Sequence, residues 1–258
     1  MAKESKKTER SGKQKPAVII VGADKGGVGK TTVARTMLDY FAAKNVLTRA
    51  FDTESPRGTL ERFHPRVTEI VDLTQVADQM KVLDTLNSSE VKVSIIDVRA
   101  GLLSRTLKDM TDVGFFEAVE NGEFKFALFH VLGPSVASLS EIEEMVPYIE
   151  NAEYFVVKNH VNETNFFEWD QSTYDRYFKK MRRSAHEVSI PKLNEMAYEQ
   201  VEVAGVPFMS FGQNKNAKNQ NADYSLVLRG YVRTWEKAVH KQYDDQGLME
   251  WVLHGAQS

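Results

Sequence analysis

Cysteine is absent from the 258 residues. That one absence excludes disulfides, Cys-ligated zinc, iron–sulfur clusters and a thiol nucleophile together, and it suits a reducing compartment. Long apolar runs are missing too. No stretch approaches the ~20 apolar residues that span a bilayer, and the longest, Ala17 to Ala23, ends in a charged loop. The first fifteen residues have no apolar segment of secretory form behind them. A cytoplasmic chain with no evident membrane anchor is therefore expected. An excess of one charge is also lacking: 33 basic against 36 acidic side chains give −3, so there is no global polyanion-binding charge.

What is present is ordinary for a globular protein: 42% hydrophobic, 27% charged and 10% aromatic residues. Wholesale disorder and fibrous repeats do not have that composition. Charge is distributed unevenly. Residues 1–15 carry six basic and two acidic groups, and 170–241 carry twelve and eight, whereas 16–169 sum to −8. Residues 1–15 show no apolar periodicity and read as a flexible basic arm. Residues 16–258 read as one domain.

Val18 to Val21 continue an apolar, β-branched run, AVIIVG at 17–22, suited to a strand buried on both faces. Further strands are predicted at 46–51, 67–73, 91–97, 124–132 and 154–157. Helices are predicted at 74–86, 103–120, 137–149, 170–183, 193–203 and 222–243. Another follows the first strand, with Val33, Ala34, Met37, Leu38, Phe41 and Ala42 on one face. This alternation implies an α/β fold, a mostly parallel twisted sheet with helices on both faces. The polar stretch Gly212–Asp223 reads as a surface loop.

Between the first strand and its helix lies Asp24-Lys25-Gly26-Gly27-Val28-Gly29-Lys30-Thr31-Thr32. Strand, glycine loop and helix in that order form the setting of a phosphate loop. Glycines let successive N–H groups turn inward, and the helix N-terminus adds a positive dipole. Lys30 then reaches the β- and γ-phosphates as a point charge, the Thr31 hydroxyl ligates Mg²⁺, and Thr32 donates to the α-phosphate. Gly26, Gly27, Val28 and Gly29 supply the cradle.

KGGVGKTT resembles the deviant Walker A motif of the ParA/MinD family of P-loop ATPases, which have the SIMIBI-type architecture. The resemblance implies that Lys25 contacts phosphate in an ATP-bound homodimer, usually across the interface. A cation of this kind is worth ~10³–10⁵ in rate in other phosphoryl enzymes. Asp24 stands where relatives have Gln or Gly, and two readings are open: it weakens nucleotide binding, or it pairs with Lys25. The missing cysteines set the chain apart from the nitrogenase iron protein within that family.

Asp52-Thr53-Glu54-Ser55-Pro56-Arg57-Gly58 is similar to the family's switch I. The resemblance implies catalytic roles for Asp52 and Glu54, with Asp52 also a metal residue and Glu54 at the position that helps place Mg²⁺ and the attacking water. Ser55 interrupts the pattern, and an acid such as Glu54 is also an ordinary turn or cap residue. Asp97-Val98-Arg99-Ala100-Gly101 resembles Walker B running into switch II. An acid at the carboxyl end of a buried strand lies beside the nucleotide crevice, so Asp97 would hold Mg²⁺ through water. Arg99 is open to nucleotide, partner subunit or Glu54. Asn159 is similar to the family's adenine-contacting Asn, and its amide suits N6 and N7. Ser189-Ile190-Pro191 reads as the end of the following strand and resembles the segment closing over the base, which makes Pro191 a further contact.

The densest basic cluster is Lys179, Lys180, Arg182 and Arg183. Some ParA relatives hold nonspecific DNA this way, with salt-sensitive affinity; a charged helix face is more often simply solvated. Leu226, Leu228, Tyr231, Val232 and Trp235 read as core packing, the tail around Trp251 reads as docked on the domain, and Phe166, Phe167 and Trp169 are open to core or partner surface. The resemblance implies a MgATP-dependent dimer that hydrolyses ATP and positions or partitions plasmid, chromosome or other cargo with an activating partner. Two alternatives share the fold: a transferase or ligase of dethiobiotin- or cobyrinate-synthetase type, and a nucleotide-binding protein with little turnover.

Overall fold

The computed structural model describes residues 15–86, 90–133, 135–149, 152–160, 166, 172, 175–176 and 185–254. The opening apolar run forms β1 (Ala17–Gly22), buried along its whole length. Successive side chains of a strand point to opposite faces. Accordingly Ala17, Ile19 and Val21 enter one hydrophobic core, and Val18 and Ile20 enter another. A strand apolar in both directions needs cover on both sides.

Six further strands join it: β2 (Thr48–Asp52), β3 (Thr68–Ile70), β4 (Val93–Asp97), β5 (Lys125–Leu132), β6 (Glu153–Asn159) and β7 (His186–Ile190). They form one sheet in the order β3-β2-β4-β1-β5-β6-β7. Every neighbouring pair is parallel, so the sheet expected to be mostly parallel is parallel throughout. The register aligns the carboxyl ends. Asp97 stands opposite Val21 on one side and Asp52 on the other, and Gly22 stands opposite His130.

The described helices are α1 (Lys30–Ala43), α2 (Thr59–Phe63), α3 (Val76–Asp84), α4 (Leu103–Asp112), α5 (Phe115–Glu120), α6 (Val136–Met145), α7 (Glu195–Ala204), α8 (Phe208–Gly212), α9 (Leu226–Asp245) and α10 (Leu248–His254). α1, α7, α9 and α10 cover one face, contributing Met37, Val201, Val239 and Trp251 to its core. α3, α4, α5 and α6 cover the other with Val82, Leu107, Phe115 and Ile142.

Several expectations are corrected. The helix predicted over 103–120 is two, because Gly114 takes φ 78° and breaks it. α2, α8 and α10 went unpredicted as elements, and of β7 only the end, at Ser189 and Ile190, was expected; all are short, and short apolar runs do not establish a period. Leu226 and Tyr231 of α9 are exposed; the buried stripe runs Val232, Trp235, Val239, Tyr243. Trp251 is buried, as expected of a docked tail, and Phe166 packs in the second core. Of the predicted helix 170–183 only residues 172, 175 and 176 are described, and all three are helical; the rest of it, the cluster Lys179, Lys180, Arg182 and Arg183, the pair Phe167 and Trp169, and residues 1–14 lie outside the described residues. Among the described residues no helix is long and apolar enough to cross a membrane.

Candidate functional site

The loop between β1 and α1 turns on two glycines with positive φ, Gly27 at 74° and Gly29 at 88°. A side chain at either would be strained. Gly29 caps α1 with no side-chain hydrogen bond to its first-turn amides. Those amides, and the positive end of a 14-residue helix, face an open cleft. The cleft holds about 260 Å³ and is lined by Gly27, Gly29, Lys30, Thr31 and Thr32 of the loop, by Asp52, Glu54 and Thr59 after β2, and by Asp97, Val98, Arg99 and Ala100 after β4. Elements far apart in sequence meet here because the parallel sheet brings three strand ends to one edge. A larger cavity, about 460 Å³, opens beside Leu38, Val46 and His64 at the amino end of β2, away from the glycine loop.

Asp97 is buried and hydrogen-bonded to Thr31, yet its Oδ1 has no partner. Burial pushes its carboxyl up to about 7, Thr31 pulls it back, and the nearby Asp52 raises it further. A buried, unpartnered carboxylate oxygen is costly unless a cation meets it. A strand-end carboxylate beside a threonine hydroxyl, both facing a phosphate loop, suits a hard divalent ion such as Mg²⁺. Among the described residues no group of three or more His, Asp or Glu could hold a metal unaided. Mg²⁺ does not need one: it is bound through one or two side chains, waters and substrate phosphates.

Asp52 is taken up by backbone amides. Its Oδ1 accepts the Glu54 N–H at 2.9 Å, and its Oδ2 accepts those of Leu60 at 2.7 Å and Glu61 at 3.3 Å. The carboxylate thereby folds the segment 53–61 and caps α2. Glu54 in turn accepts the Thr59 hydroxyl at 2.6 Å. Thr53 joins this segment to the one after β4: its N–H donates to the Asp97 carbonyl at 3.1 Å, and its Oγ1 accepts the Arg99 N–H at 2.7 Å. The Arg99 side chain is exposed.

Lys30 is nearly buried and donates to the Lys25 carbonyl at 3.2 Å. Burial lowers its pKa, against the pull of Asp97, Glu141, Asp24 and Glu54. Lys25 reaches away from the cleft, donating to Ser135 Oγ at 2.6 Å. Glu141 of α6 accepts the backbone N–H groups of Asp24 at 3.0 Å and Lys25 at 3.1 Å. Asp24 does not pair with Lys25. Its carboxylate accepts the Leu103 N–H at 2.7 Å and bonds both the N–H and the hydroxyl of Ser104, at the start of α4. Asn159 donates to the Val28 carbonyl at 2.9 Å, so its amide nitrogen supports the loop. The Pro191 carbonyl accepts the Trp235 indole N–H at 2.6 Å.

The structure thus gathers Gly27, Gly29, Lys30, Thr31, Thr32, Asp52, Glu54 and Asp97 around one cleft, while Lys25, Gly26, Val28, Asn159 and Pro191 lie outside its lining. Sequence reasoning missed Thr53, Thr59, Ser135 and Glu141. For Glu141, more than a hundred residues from the loop it grips, no local signal exists.

No family model matches the chain. It is 26% identical over 157 residues, 59% of this chain and 67% of the other, to Protein MobD of Acidithiobacillus ferrooxidans. Among solved structures, a ParA family ATPase from Chlorobium tepidum TLS superposes with a TM-score of 0.54 at 11% identity, over 94% of this chain and 99% of that one. The MinD cell division protein of Aquifex aeolicus follows at 0.49 and 14% identity, over 84% and 95%, a likeness too loose to add weight. An all-parallel seven-stranded sheet, a glycine loop after its central strand and that superposition together give this chain the fold of the ParA family ATPase.

Proposed function

We propose that the chain is an ATP-binding and ATP-hydrolysing switch of the ParA/MinD type. One observation carries the reading: the buried, half-satisfied carboxylate of Asp97 beside Thr31, above a glycine loop and an uncapped helix N-terminus. Triphosphate oxygens take the loop amides and the Lys30 ammonium. Thr31, and Asp97 through water, are the side chains that would hold Mg²⁺, and charge neutralisation at the nucleotide's phosphates is the chemistry that it would supply there. Asp52 shapes the segment that carries Glu54. Glu54, exchanging its bond to Thr59, orients the attacking water. Asn159 and Pro191 lie on the base side. Lys25, leaving Ser135, reaches the nucleotide of a second copy in an ATP-bound homodimer. Hydrolysis releases that dimer, and the cycle positions or partitions plasmid, chromosome or other cargo with an activating partner.

A second reading, nucleotide binding with little turnover, is favoured by one contact: the Glu54 carboxylate is already held by Thr59 at 2.6 Å. Phosphate release and light-scattering mass with ADP, ATP and a slowly hydrolysed analogue separate the two. A switch doubles in mass with ATP and the analogue and releases phosphate. Doubling with no phosphate release supports the second reading. A monomer with every nucleotide contradicts the dimer.

A further inference from the structure

The site leaves one of its own features unused, the acid at the mouth of the glycine loop. Two carboxylates tie this half of the loop to neighbouring helices. Glu141 reaches in from α6 and takes the amides of Asp24 and Lys25. Asp24 reaches out to α4, where its Oδ1 accepts the Leu103 N–H at 2.7 Å and its Oδ2 bonds the Ser104 amide and hydroxyl. These are first-turn amides, which a helix cannot satisfy internally. Leu102, the residue at the cap of α4, supplies no side-chain bond to them. The cap is delivered in trans, from 79 residues earlier in the chain. The junction is tight on its apolar side as well, since a Cβ at Gly22 would stand 2.5 Å from Leu103.

The segment Val98–Leu102 joins the cleft to α4. Val98, Arg99 and Ala100 line the cleft, and Leu103 and Ser104 take the Asp24 carboxylate. We propose that Asp24 is a positioning residue, a latch that fixes α4 to the phosphate loop and so holds residues 98–101 where a terminal phosphate meets them. The inference rests on the nucleotide reading above and deepens it. The cradle for the first two phosphates is the loop itself, whereas the wall at 98–101 is held in part by the latch. Losing the latch therefore weakens triphosphate binding more than diphosphate binding. The rival physical effect has the opposite sign: a carboxylate beside phosphates repels them, so its removal tightens both.

The test uses the full chain as wild type, Asp24→Ala, Asp24→Asn and Ser104→Ala. Affinities for MgADP and for a slowly hydrolysed Mg-ATP analogue are read by calorimetry, with hydrogen exchange at residues 102–106. Asp24→Ala is expected to lose exchange protection at 103–104 and to bind the triphosphate about tenfold more weakly, roughly the weight of one strong helix cap, with the diphosphate changed less than twofold. Asp24→Asn keeps one acceptor and restores most of both readouts. Ser104→Ala, outside the cleft lining, shifts the triphosphate in the same sense by less. The latch is overturned if the wild type binds both nucleotides while Asp24→Ala binds the triphosphate equally or more tightly. Unchanged exchange at 103–104 in Asp24→Ala also overturns it. A wild type that binds neither nucleotide overturns the nucleotide reading, and the latch's role with it.

Discussion

A methyl group placed on Gly58 would stand 2.5 Å from Asp52 Oδ2. That oxygen holds the Leu60 and Glu61 amides, so the methyl displaces the cap of α2 along with the acid. Gly58→Ala is expected to cost ~1–3 kcal/mol, the range for overpacking or for a buried donor left unpaired, as a lower midpoint in urea denaturation. An unchanged midpoint would mean that Asp52 is not fixed by this contact. Residues of the site were legible where their positions are set locally. Gly29, Lys30 and Thr31 follow from a strand, a turn and a helix in succession, and Asp97 from its place at a strand end. Glu141 and the partner of Asp24 were not, because those contacts join residues 117 and 79 positions apart. The sequence leaves the direction of Asp24 open between two readings, and neither anticipated a helix terminus as the partner.

The element that departs most from its sequence pattern is α1. An amphipathic stripe was expected, yet Arg35, Thr36, Asp39 and Tyr40 are buried along with the apolar face. α9 covers what would otherwise be the polar side: Thr36 bonds the Tyr243 hydroxyl at 2.8 Å, and Tyr40 donates to Asp244 at 2.7 Å. Hydrophobic periodicity reports which side is apolar; it cannot report that a second helix will cover the other. Burial pushes the Asp39 carboxyl up to about 7, against the Met209 N–H, the Arg35 charge and the Phe208 N–H. Burial, together with the charge of Asp39, pushes Glu236 of α9 up to about 8. His240, on the same turn of α9, and Arg35 face this pair. Acids whose folded pKa is raised bind more protons folded than unfolded. Their stabilising contribution is full below the unfolded value and is lost as pH rises through the folded one. Asp39→Asn keeps an acceptor for Met209 without the charge. Its melting temperature should gain on the wild type as pH rises from 5 to 8; a constant difference across that range would show that Asp39 does not titrate there.

For the whole molecule, alternation of strands and helices was enough to anticipate a parallel sheet with two covered faces. It could not order the strands, because β1 pairs with β4 and β5 and not with β2, its neighbour in sequence. That non-sequential order brings Asp52 and Asp97 to the edge of the glycine loop. Two predictions belong at this scale. Lys25→Ala loses a side chain whose present partner is Ser135, outside the cleft. It should keep nucleotide affinity largely intact and lose ATP-dependent doubling of mass in light scattering; normal doubling would remove the bridging role. If the cluster Lys179, Lys180, Arg182 and Arg183 contacts DNA, reversing its charges together lowers DNA retention and flattens its salt dependence. An unchanged salt-dependent gel shift would remove that cluster as a DNA contact. The central claim is that the glycine loop cradles a nucleotide's phosphates, and calorimetric titration of a slowly hydrolysed Mg-ATP analogue into the wild type and Lys30→Ala tests it most directly. The expected result is one nucleotide per chain in the wild type and at least about a hundredfold weaker binding, some 2.7 kcal/mol, in the variant. Equal affinity in the two proteins, or no binding by the wild type, would contradict it.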